Sequence, residues 1–243
     1  TGITVAGTAT ARTFRGTLAN LNTYFTTAGK ITYLPISNSN VSRTLTIQIN
    51  DLGNTGTGGS LVASTTSTIN ITPVNDAPLL SGSAPVFATI AEDPAESLIT
   101  GRTVTSLVSP LFSDAADTVI GGTSANTLAG IAIIAYTENI AQGAWQYSTD
   151  AGATWIDIST VSSATSAITI TASDLLRYAP KPDFNGAVPV LTFVAIENST
   201  TVTSGAIVDA SVRGGSTSFS SATLAITQTV TAVVDIVADS LSV

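Results

Sequence analysis

Thr44-Leu45-Thr46-Ile47-Gln48-Ile49 alternates polar and apolar side chains, and this alternation decides the fold. A period of two residues places apolar side chains on one face of a β-strand and polar ones on the other. Three further runs, rich in β-branched residues, show the same alternation, at residues 68–74, 167–171 and 222–227. Gly, Asn, Asp and Ser cluster between such runs about every ten residues, as in β-sandwiches. The pattern therefore predicts an all-β sandwich.

One stretch near the start has a helical pattern. Phe14, Leu18, Leu21 and Phe25 recur at spacings of three or four residues, and Gly29 follows them. Apolar residues at this spacing share one face of an α-helix, and Gly commonly ends a helix. We therefore expect one short helix in this part of the chain.

The composition excludes several classes of function. The 243-residue chain contains no His, Cys or Met, and its net charge is −8. The absence of His and Cys excludes a Ser-His-Asp triad, a Cys nucleophile and the usual zinc ligands. Two lysines and six arginines cannot form the basic surface that a phosphate backbone requires. We predict that the protein is not an enzyme and does not bind nucleic acid.

The short length of the apolar runs in the sequence argues against membrane insertion. The longest apolar run, near residues 128–136, is about half of the ~18 residues that a membrane-spanning helix needs. A chain without sulfur has no Cys or Met to oxidise, which fits an extracellular bacterial protein at the cell surface. The absence of Cys alone fits a cytosolic protein equally well.

Asn75-Asp76-Ala77-Pro78 marks a boundary between two modules. It follows an alternating run, and Pro has no N–H for a β-ladder, so the chain leaves the sheet here. A similar exit with Asp235 and Asp239 follows the run at 222–227, and two such exits predict tandem modules. We expect a piece of a repeating array, with a first module at 1–76 lacking its first strands, a larger module at 77–230, and the linker and opening strand of another at 231–243.

Metal chemistry in this chain is restricted to oxygen ligands, because Asp and Glu are present while His and Cys are absent. Calcium takes about six to eight oxygen atoms from carboxylates, carbonyls and water. Asp114 and Asp117 could converge on one ion, or they could form a turn by bonding their own backbone. Glu92 and Asp93 could likewise be solvated charges at the start of a strand. The residues alone leave these alternatives open.

Several motifs resemble the cadherin-like, immunoglobulin-like repeat modules of large RTX-type bacterial surface adhesins that are associated with biofilms. These motifs are NDLGNTGTGG at 50–59, ITPVNDAP at 71–78, GAWQYS at 143–148 and PDFNG at 182–186. The resemblance covers nearly the whole chain and implies tandem Greek-key β-sandwich modules. Modules of this family form calcium-stiffened rods that carry adhesive tips away from the cell.

The resemblance also implies where Ca²⁺ binds, because in this family carboxylates hold the ions near domain junctions. The matching positions are Asp76 in the linker, Glu92 and Asp93 early in the second module, Asp114, Asp117 and Glu197. Glu197 stands where relatives usually have Asp, and its side chain is one methylene longer. Asp235 and Asp239 would serve the next junction.

The leading hypothesis is a calcium-stiffened structural extender of a bacterial cell-surface adhesin that supports adhesion and biofilm formation. Its partners would be neighbouring modules of the same chain or copies of itself. The alternative is a self-assembling subunit of a surface filament or surface layer, in which residues 229–243 complete a neighbour's sheet by strand donation.

A third hypothesis is a module that binds carbohydrate or ice. Trp145, Tyr147 and Trp155 lie close together in sequence and could stack on a sugar ring, although aromatic residues spaced by two more often fill a core. Regular Thr residues on the predicted strands could line a flat ice-binding face, but Thr is also an ordinary exposed strand residue.

Overall fold

Strands in several sheets dominate the protein, which confirms the prediction of an all-β fold. The computed structural model describes residues 2–54, 57–118 and 125–234. Within these ranges there are two short α-helices, α1 (Leu18–Thr26) and α2 (Val104–Val108). None of the helices in these ranges is long and apolar enough to cross a lipid bilayer.

The eighteen strands of the described residues are mostly short. They are β1 (Ile3–Gly7), β2 (Arg12–Gly16), β3 (Arg43–Asn50), β4 (Val62–Ile69), β5 (Leu79–Leu80), β6 (Ile90–Ala91), β7 (Arg102–Thr103), β8 (Phe112–Ser113), β9 (Leu128–Ala135), β10 (Gly143–Ser148), β11 (Ile156–Asp157), β12 (Ala167–Thr171), β13 (Leu175–Pro180), β14 (Gly186–Ala187), β15 (Leu191–Glu197), β16 (Ile207–Val208), β17 (Leu224–Ile226) and β18 (Thr229–Thr231).

The chain divides into two compact units, Thr1–Ser39 and Asn40–Val243. In the first unit, β1 and β2 form an antiparallel hairpin that is followed by α1. The predicted helix is confirmed, and the Thr17 side chain caps it by accepting from the Asn20 N–H at 3.3 Å. Phe14 lies on β2 rather than in the helix, and its ring contacts that of Phe25 with centroids 5.1 Å apart.

The second unit contains the main apolar core. One sheet has five strands in the order β16-β12-β9-β15-β17, and another has four in the order β11-β10-β13-β7. Buried side chains from both sheets join one cluster, with Ile131 and Phe193 from the first sheet and Trp145 and Tyr178 from the second. The two sheets therefore share a single core.

The predicted strand positions agree with the structure to different degrees. The run at 167–171 coincides with β12, and the run at 44–49 lies within β3. The run at 68–74 differs, because β4 ends at Ile69 and the following residues are in no strand. Pro73 has no N–H to donate to a ladder, which is consistent with the early end of this strand.

A small sheet in the order β14-β18-β6 holds the end of the described chain. Its central strand is β18, whose Val230 is buried and pairs with Gly186 on one side and Ile90 on the other. The start of the tail that we expected to donate a strand is therefore already paired within its own unit. Residues 235–243, with Asp235 and Asp239, lie outside the described residues.

Candidate metal centre

Three acidic side chains from distant parts of the chain meet in the second unit. A carboxylate oxygen of each of Asp114, Asp117 and Glu197 lies within 4.8 Å of the others. The three residues are buried, with exposed fractions of 4%, 8% and 0%. Buried acids without a positive partner are rare in proteins, because ionised carboxylates lose their hydration. This cluster is therefore the strongest candidate for a functional site among the described residues.

Local structure explains how two of the acids converge. Asp114 follows β8, and Asp117 ends the 3-10 turn Ala115–Asp117. In 3-10 geometry, residues three apart lie on the same side of the backbone, so both carboxylates point the same way. A turn is thus present and holds the two acids together, but the hydrogen bonds that their carboxylates accept come from Asp76 and Asn126 and not from the backbone of the turn itself.

Glu197 reaches the cluster from the five-stranded sheet. It is the last residue of β15, and the register between β15 and β9 is irregular between Ile196 and Glu197. Irregularities of this kind re-aim a side chain and end a ladder. The Glu197 side chain consequently lies inside the protein, although it stands at the end of its strand.

The linker that leads into the second predicted module also contacts the cluster. The Asp76 N–H donates to Asp117 Oδ1 at 2.8 Å, and Asn75 Nδ2 donates to Glu197 Oε1 at 2.5 Å. Asn126 donates through its backbone N–H to Asp114 Oδ2 at 2.6 Å and through Nδ2 to Asp117 Oδ2 at 3.2 Å. All of these donors are uncharged, so they orient the carboxylates without neutralising them.

Two carboxylate oxygens in the cluster have no hydrogen-bond partner. Asp114 Oδ1 and Glu197 Oε2 are buried and accept no hydrogen bond from any described residue. The one salt bridge among the described residues joins Arg177 to Glu96, so no cationic side chain in these ranges neutralises the cluster. An unpaired buried carboxylate oxygen is costly. A cation among these oxygens would remove that cost.

The pKa values of two of these acids are consistent with a site that lacks a positive partner among the described residues. Burial raises the pKa of Asp114, and the negative charges of Asp117 and Asp76 add to the increase, against the hydrogen bonds from Asn126. Burial also raises the pKa of Glu197, against hydrogen bonds from Ser199 and Asn75. Both increases in pKa mean that the ionised carboxylates are disfavoured when no cation is bound.

The chemistry of the ligands fits a hard cation. The cluster offers carboxylate oxygens, with the side-chain amides of Asn75 and Asn126 beside them, and no nitrogen or sulfur ligand. Oxygen-only sets select Ca²⁺ or Mg²⁺ over zinc and copper. Ca²⁺ tolerates the irregular geometry of ligands drawn from a linker, a turn and a strand end, whereas Mg²⁺ demands a near-octahedral arrangement.

The structure brings three of the six predicted ligands together, and a fourth, Asp76, borders them. Asp114, Asp117 and Glu197 form the cluster. Asp76 joins it through its N–H and through the effect of its charge on Asp114. The resemblance pointed to all four, while the residues alone pointed to Asp114 and Asp117.

Glu92 and Asp93 lie in a different environment. Glu92 accepts from the Val233 N–H at 2.7 Å and from Asn185 Nδ2 at 2.9 Å, and Asp93 accepts from the Asp183 N–H at 3.0 Å. Both oxygens of Glu92 therefore have donors. Glu92 thus connects the chain after β6 to the segment after β18, and Asp93 connects it to the loop between β13 and β14.

Asn75 and Asn126 were missed as site residues. Asn75 precedes Asp76 in the linker motif, so the motif itself was a signal for it. Asn126 stands in a Ser-, Asn- and Thr-containing segment that resembles many loops, and nothing in the sequence singles it out. Only the fold places it between Asp114 and Asp117.

The aromatic residues proposed to contact a glycan are largely internal. Trp145 is fully buried, and its ring contacts Phe87 and Tyr178. Tyr147 is also buried. Trp155 is partly exposed, but Arg177 lies over its ring at 3.9 Å from the centroid. The structure thus presents no open group of three aromatic rings on which a sugar could stack.

Comparisons with family models, with curated proteins and with solved structures give no match, so the resemblance to adhesin modules stays a prediction from the motifs.

Proposed function

We propose that the protein is a structural extender module of a bacterial cell-surface adhesin and that Ca²⁺ bound by Asp114, Asp117 and Glu197 stiffens it. The observation that carries this proposal is the pair of buried carboxylate oxygens without a donor, Asp114 Oδ1 and Glu197 Oε2. The all-β fold and the many exposed Thr and Ser residues suit a load-bearing extracellular module.

The proposed ion acts by connecting parts of the chain that are distant in sequence. Asp114 and Asp117 belong to one turn, Glu197 ends a core strand, and Asn75 and Asp76 belong to the linker. A cation bound to the three carboxylates stabilises all of these segments in one arrangement. When it is removed, like charges remain in a buried site and favour loosening of the linker.

Two further hydrogen bonds hold the linker in place, and the proposed ion would add to this restraint. The Ala77 N–H donates to Gly215 O at 2.8 Å, and Asn75 Nδ2 also approaches Thr217 O at 3.4 Å. The linker is therefore held by the loop that contains Gly215 and Thr217 as well as by the acidic cluster. An extender needs a linker that is restricted in this way, because a freely bending junction neither keeps modules apart nor transmits tension.

Thermal unfolding with Ca²⁺, with excess chelator and with Mg²⁺ tests the metal site. Saturating Ca²⁺ at one hundred times its dissociation constant adds about 2.7 kcal/mol to the free energy of unfolding. For a chain of this size we expect a rise in Tm of roughly 5–10 °C. Mg²⁺ should give a much smaller rise, because the ligands come from an irregular set of segments.

Two variants connect this rise to the cluster. Glu197→Gln and Asp114→Asn each remove one buried negative charge, so we expect them to be as stable as the wild type, or more so, in chelator, and to lose most of the Ca²⁺-dependent rise. Asp209→Asn is the matched control, since Asp209 is exposed and contacts Ser211 rather than the cluster. A rise that survives in Glu197→Gln, or that Mg²⁺ reproduces fully, would contradict the site.

Small-angle scattering tests the mechanical part of the proposal separately. We expect the maximum dimension and the flexibility of the chain to change when Ca²⁺ is removed. If the chain binds Ca²⁺ at the cluster but gives the same scattering profile in chelator, the metal site would stand and the role as a stiffened extender would be contradicted.

A further inference from the structure

Two segments of the second unit run side by side in the same direction. One, residues 85–92, follows the linker, and the other, residues 227–233, lies at the end of the described chain. Within them, β6 and β18 pair in parallel. A parallel bridge between Val86 and Thr227 precedes these two strands. We call residues 85–92 and 227–233 the parallel pair.

Backbone hydrogen bonds connect the parallel pair along its length. Before β6, the Phe87 N–H donates to Thr227 O at 2.9 Å, and after β6 the Glu92 N–H donates to Thr231 O at 2.8 Å. The ladder between β6 and β18 lies between these two bonds. The two segments are therefore held by a series of bonds and not by a single contact.

Three further hydrogen bonds, each of which involves a side chain, cross the parallel pair. They are Gln228 Nε2 to Ala88 O at 2.8 Å, Thr231 Oγ1 to Ile90 O at 3.2 Å and Val233 N to Glu92 Oε1 at 2.7 Å. Phe87 and Val230 are buried in the main core, one from each segment. Both segments are therefore anchored in the core as well as to each other.

The direction of the two strands decides how tension acts on these bonds. Tension along the chain pulls residues 85–92 back towards the linker and residues 227–233 forward. Because the strands are parallel, the two pulls oppose each other along the strand axis, and all the hydrogen bonds share the load. When adjacent strand ends are pulled apart instead, the bonds break one at a time. Bonds that must break together resist tension more than the same bonds broken singly.

We infer that the parallel pair is a mechanical clamp, the element that resists tension applied between the linker and the chain after Val233. This inference rests on the proposed role as an extender, because only a load-bearing module is pulled between these two points. None of the hydrogen bonds that cross the parallel pair involves Asp114, Asp117 or Glu197. The clamp can therefore be tested without the ion.

Single-molecule force spectroscopy tests the inference, because a chain without Cys accepts handles at chosen cysteines. In the full chain, Val74→Cys with Val234→Cys places handles before and after the parallel pair, at two exposed positions. Ser97→Cys with Val234→Cys places both handles beyond the same end of the pair, and Ser97 is also exposed. In chelator and at equal force, we expect the first arrangement to unfold about a hundredfold more slowly, since at least two hydrogen bonds of about tenfold each must break together.

A matched pair of substitutions in β18 locates the resistance. Thr231→Val removes the hydroxyl that donates to Ile90 O. Thr229→Val makes the same change where the hydroxyl has no hydrogen-bond partner among the described residues, and both threonines are exposed. With handles at positions 74 and 234, we expect Thr231→Val to unfold about threefold faster or more, and Thr229→Val to change the rate less than about twofold.

Fluorescence of the buried Trp145 verifies that both variants keep the core folded. Equal unfolding rates with the two arrangements of handles overturn the inference, and so do equal rates for Thr231→Val and Thr229→Val. If the arrangements differ in chelator while Ca²⁺ changes neither Tm nor scattering, the clamp stands and the role of Ca²⁺ is contradicted. If the arrangements unfold equally while the Ca²⁺ effects are present, the proposed function stands and the clamp is contradicted.

Discussion

Asp150 shows how one exposed carboxylate organises a tight turn at the scale of a single residue. Its oxygens accept from the Thr154 N–H at 2.8 Å, from the Thr154 hydroxyl at 2.6 Å and from the Ser148 hydroxyl at 2.7 Å. Ala151 and Gly152, which follow, both have positive φ, at 58° and 92°. The hydrogen bonds from Thr154 and Ser148 lower the pKa of Asp150 to about 2. The ionised carboxylate thus stabilises the turn that connects β10 to β11.

Replacing Asp150 by Ala should destabilise the protein in a pH-dependent way. Because the folded pKa is about 2 and the ordinary value is 3.8, the stabilisation is fully present above pH 3.8 and is lost as the pH falls towards 2. We expect the difference in free energy of unfolding between wild type and Asp150→Ala to be constant near neutral pH and to shrink across this acidic range. Urea unfolding at several pH values measures it.

Asp157→Ala is a suitable control for this turn, since Asp157 is exposed on the adjoining strand and accepts from Gln146 Nε2 at 2.7 Å. A destabilisation by Asp150→Ala that stays the same from pH 7 down to pH 2.5 would contradict the role of the charge.

At the scale of elements, Arg177 connects β13 to the segment that precedes β7. Its Nε donates to Gln146 Oε1 at 2.8 Å and its Nη1 to Ile99 O at 3.2 Å, while the guanidinium lies over the Trp155 ring. Nη2 also forms a salt bridge of 3.1 Å with Glu96. Arg177 is thus both a strand residue and the anchor of the 3-10 turn Glu96–Leu98.

Arg177→Met should cost far more stability than Glu96→Gln. The Arg177 side chain is 6% exposed, and losing its buried hydrogen bonds costs about 1.5–3 kcal/mol each at charged groups. The Glu96 side chain is 80% exposed, so its salt bridge should contribute about 0–1 kcal/mol. Denaturant unfolding of the two variants measures the loss in free energy of unfolding that each substitution causes. Equal losses would show that the salt bridge, rather than the buried contacts, holds the turn.

At the scale of the whole molecule, stability should be unevenly distributed. The buried strands β9, β12 and β15 lie in the middle of the five-stranded sheet, whereas nearly all residues of β3 and β4 are exposed. Elements with few buried contacts open at low free energy, while core strands open only with global unfolding.

Hydrogen exchange should therefore separate these regions. We expect amides of β3 and β4 to exchange at least about a hundredfold faster than those of β9 and β15, corresponding to about 2.7 kcal/mol or more. Mass spectrometry of peptic peptides from the intact chain resolves the two regions. Comparable protection of β3 and β9 would contradict this expectation and would mean that the hairpin is covered in solution.

The candidate site was predictable only in part. The spacing of Asp114 and Asp117 suggested convergence, because three residues make one 3-10 turn, but the same spacing suits an ordinary turn. The strands β9 to β14 separate Glu197 from them in sequence, so no local pattern connects it to them. The family motifs named Glu197 together with Asp76, Glu92 and Asp93 as predicted ligands, and in the structure Glu197 lies with Asp114 and Asp117 while Glu92 and Asp93 lie elsewhere in the fold.

The sequence by itself determined the strand content, the short helix and the exclusion of His- and Cys-dependent chemistry, because periodicity and composition are properties of the chain. Tertiary structure alone decided which carboxylates meet and which oxygens are left without donors. It also buried Trp145 and Tyr147 while leaving Leu45, Ile47 and Ile49 exposed, although both groups alternate along strands. Alternation specifies that a face is apolar, whereas burial depends on whether another layer is present to cover it.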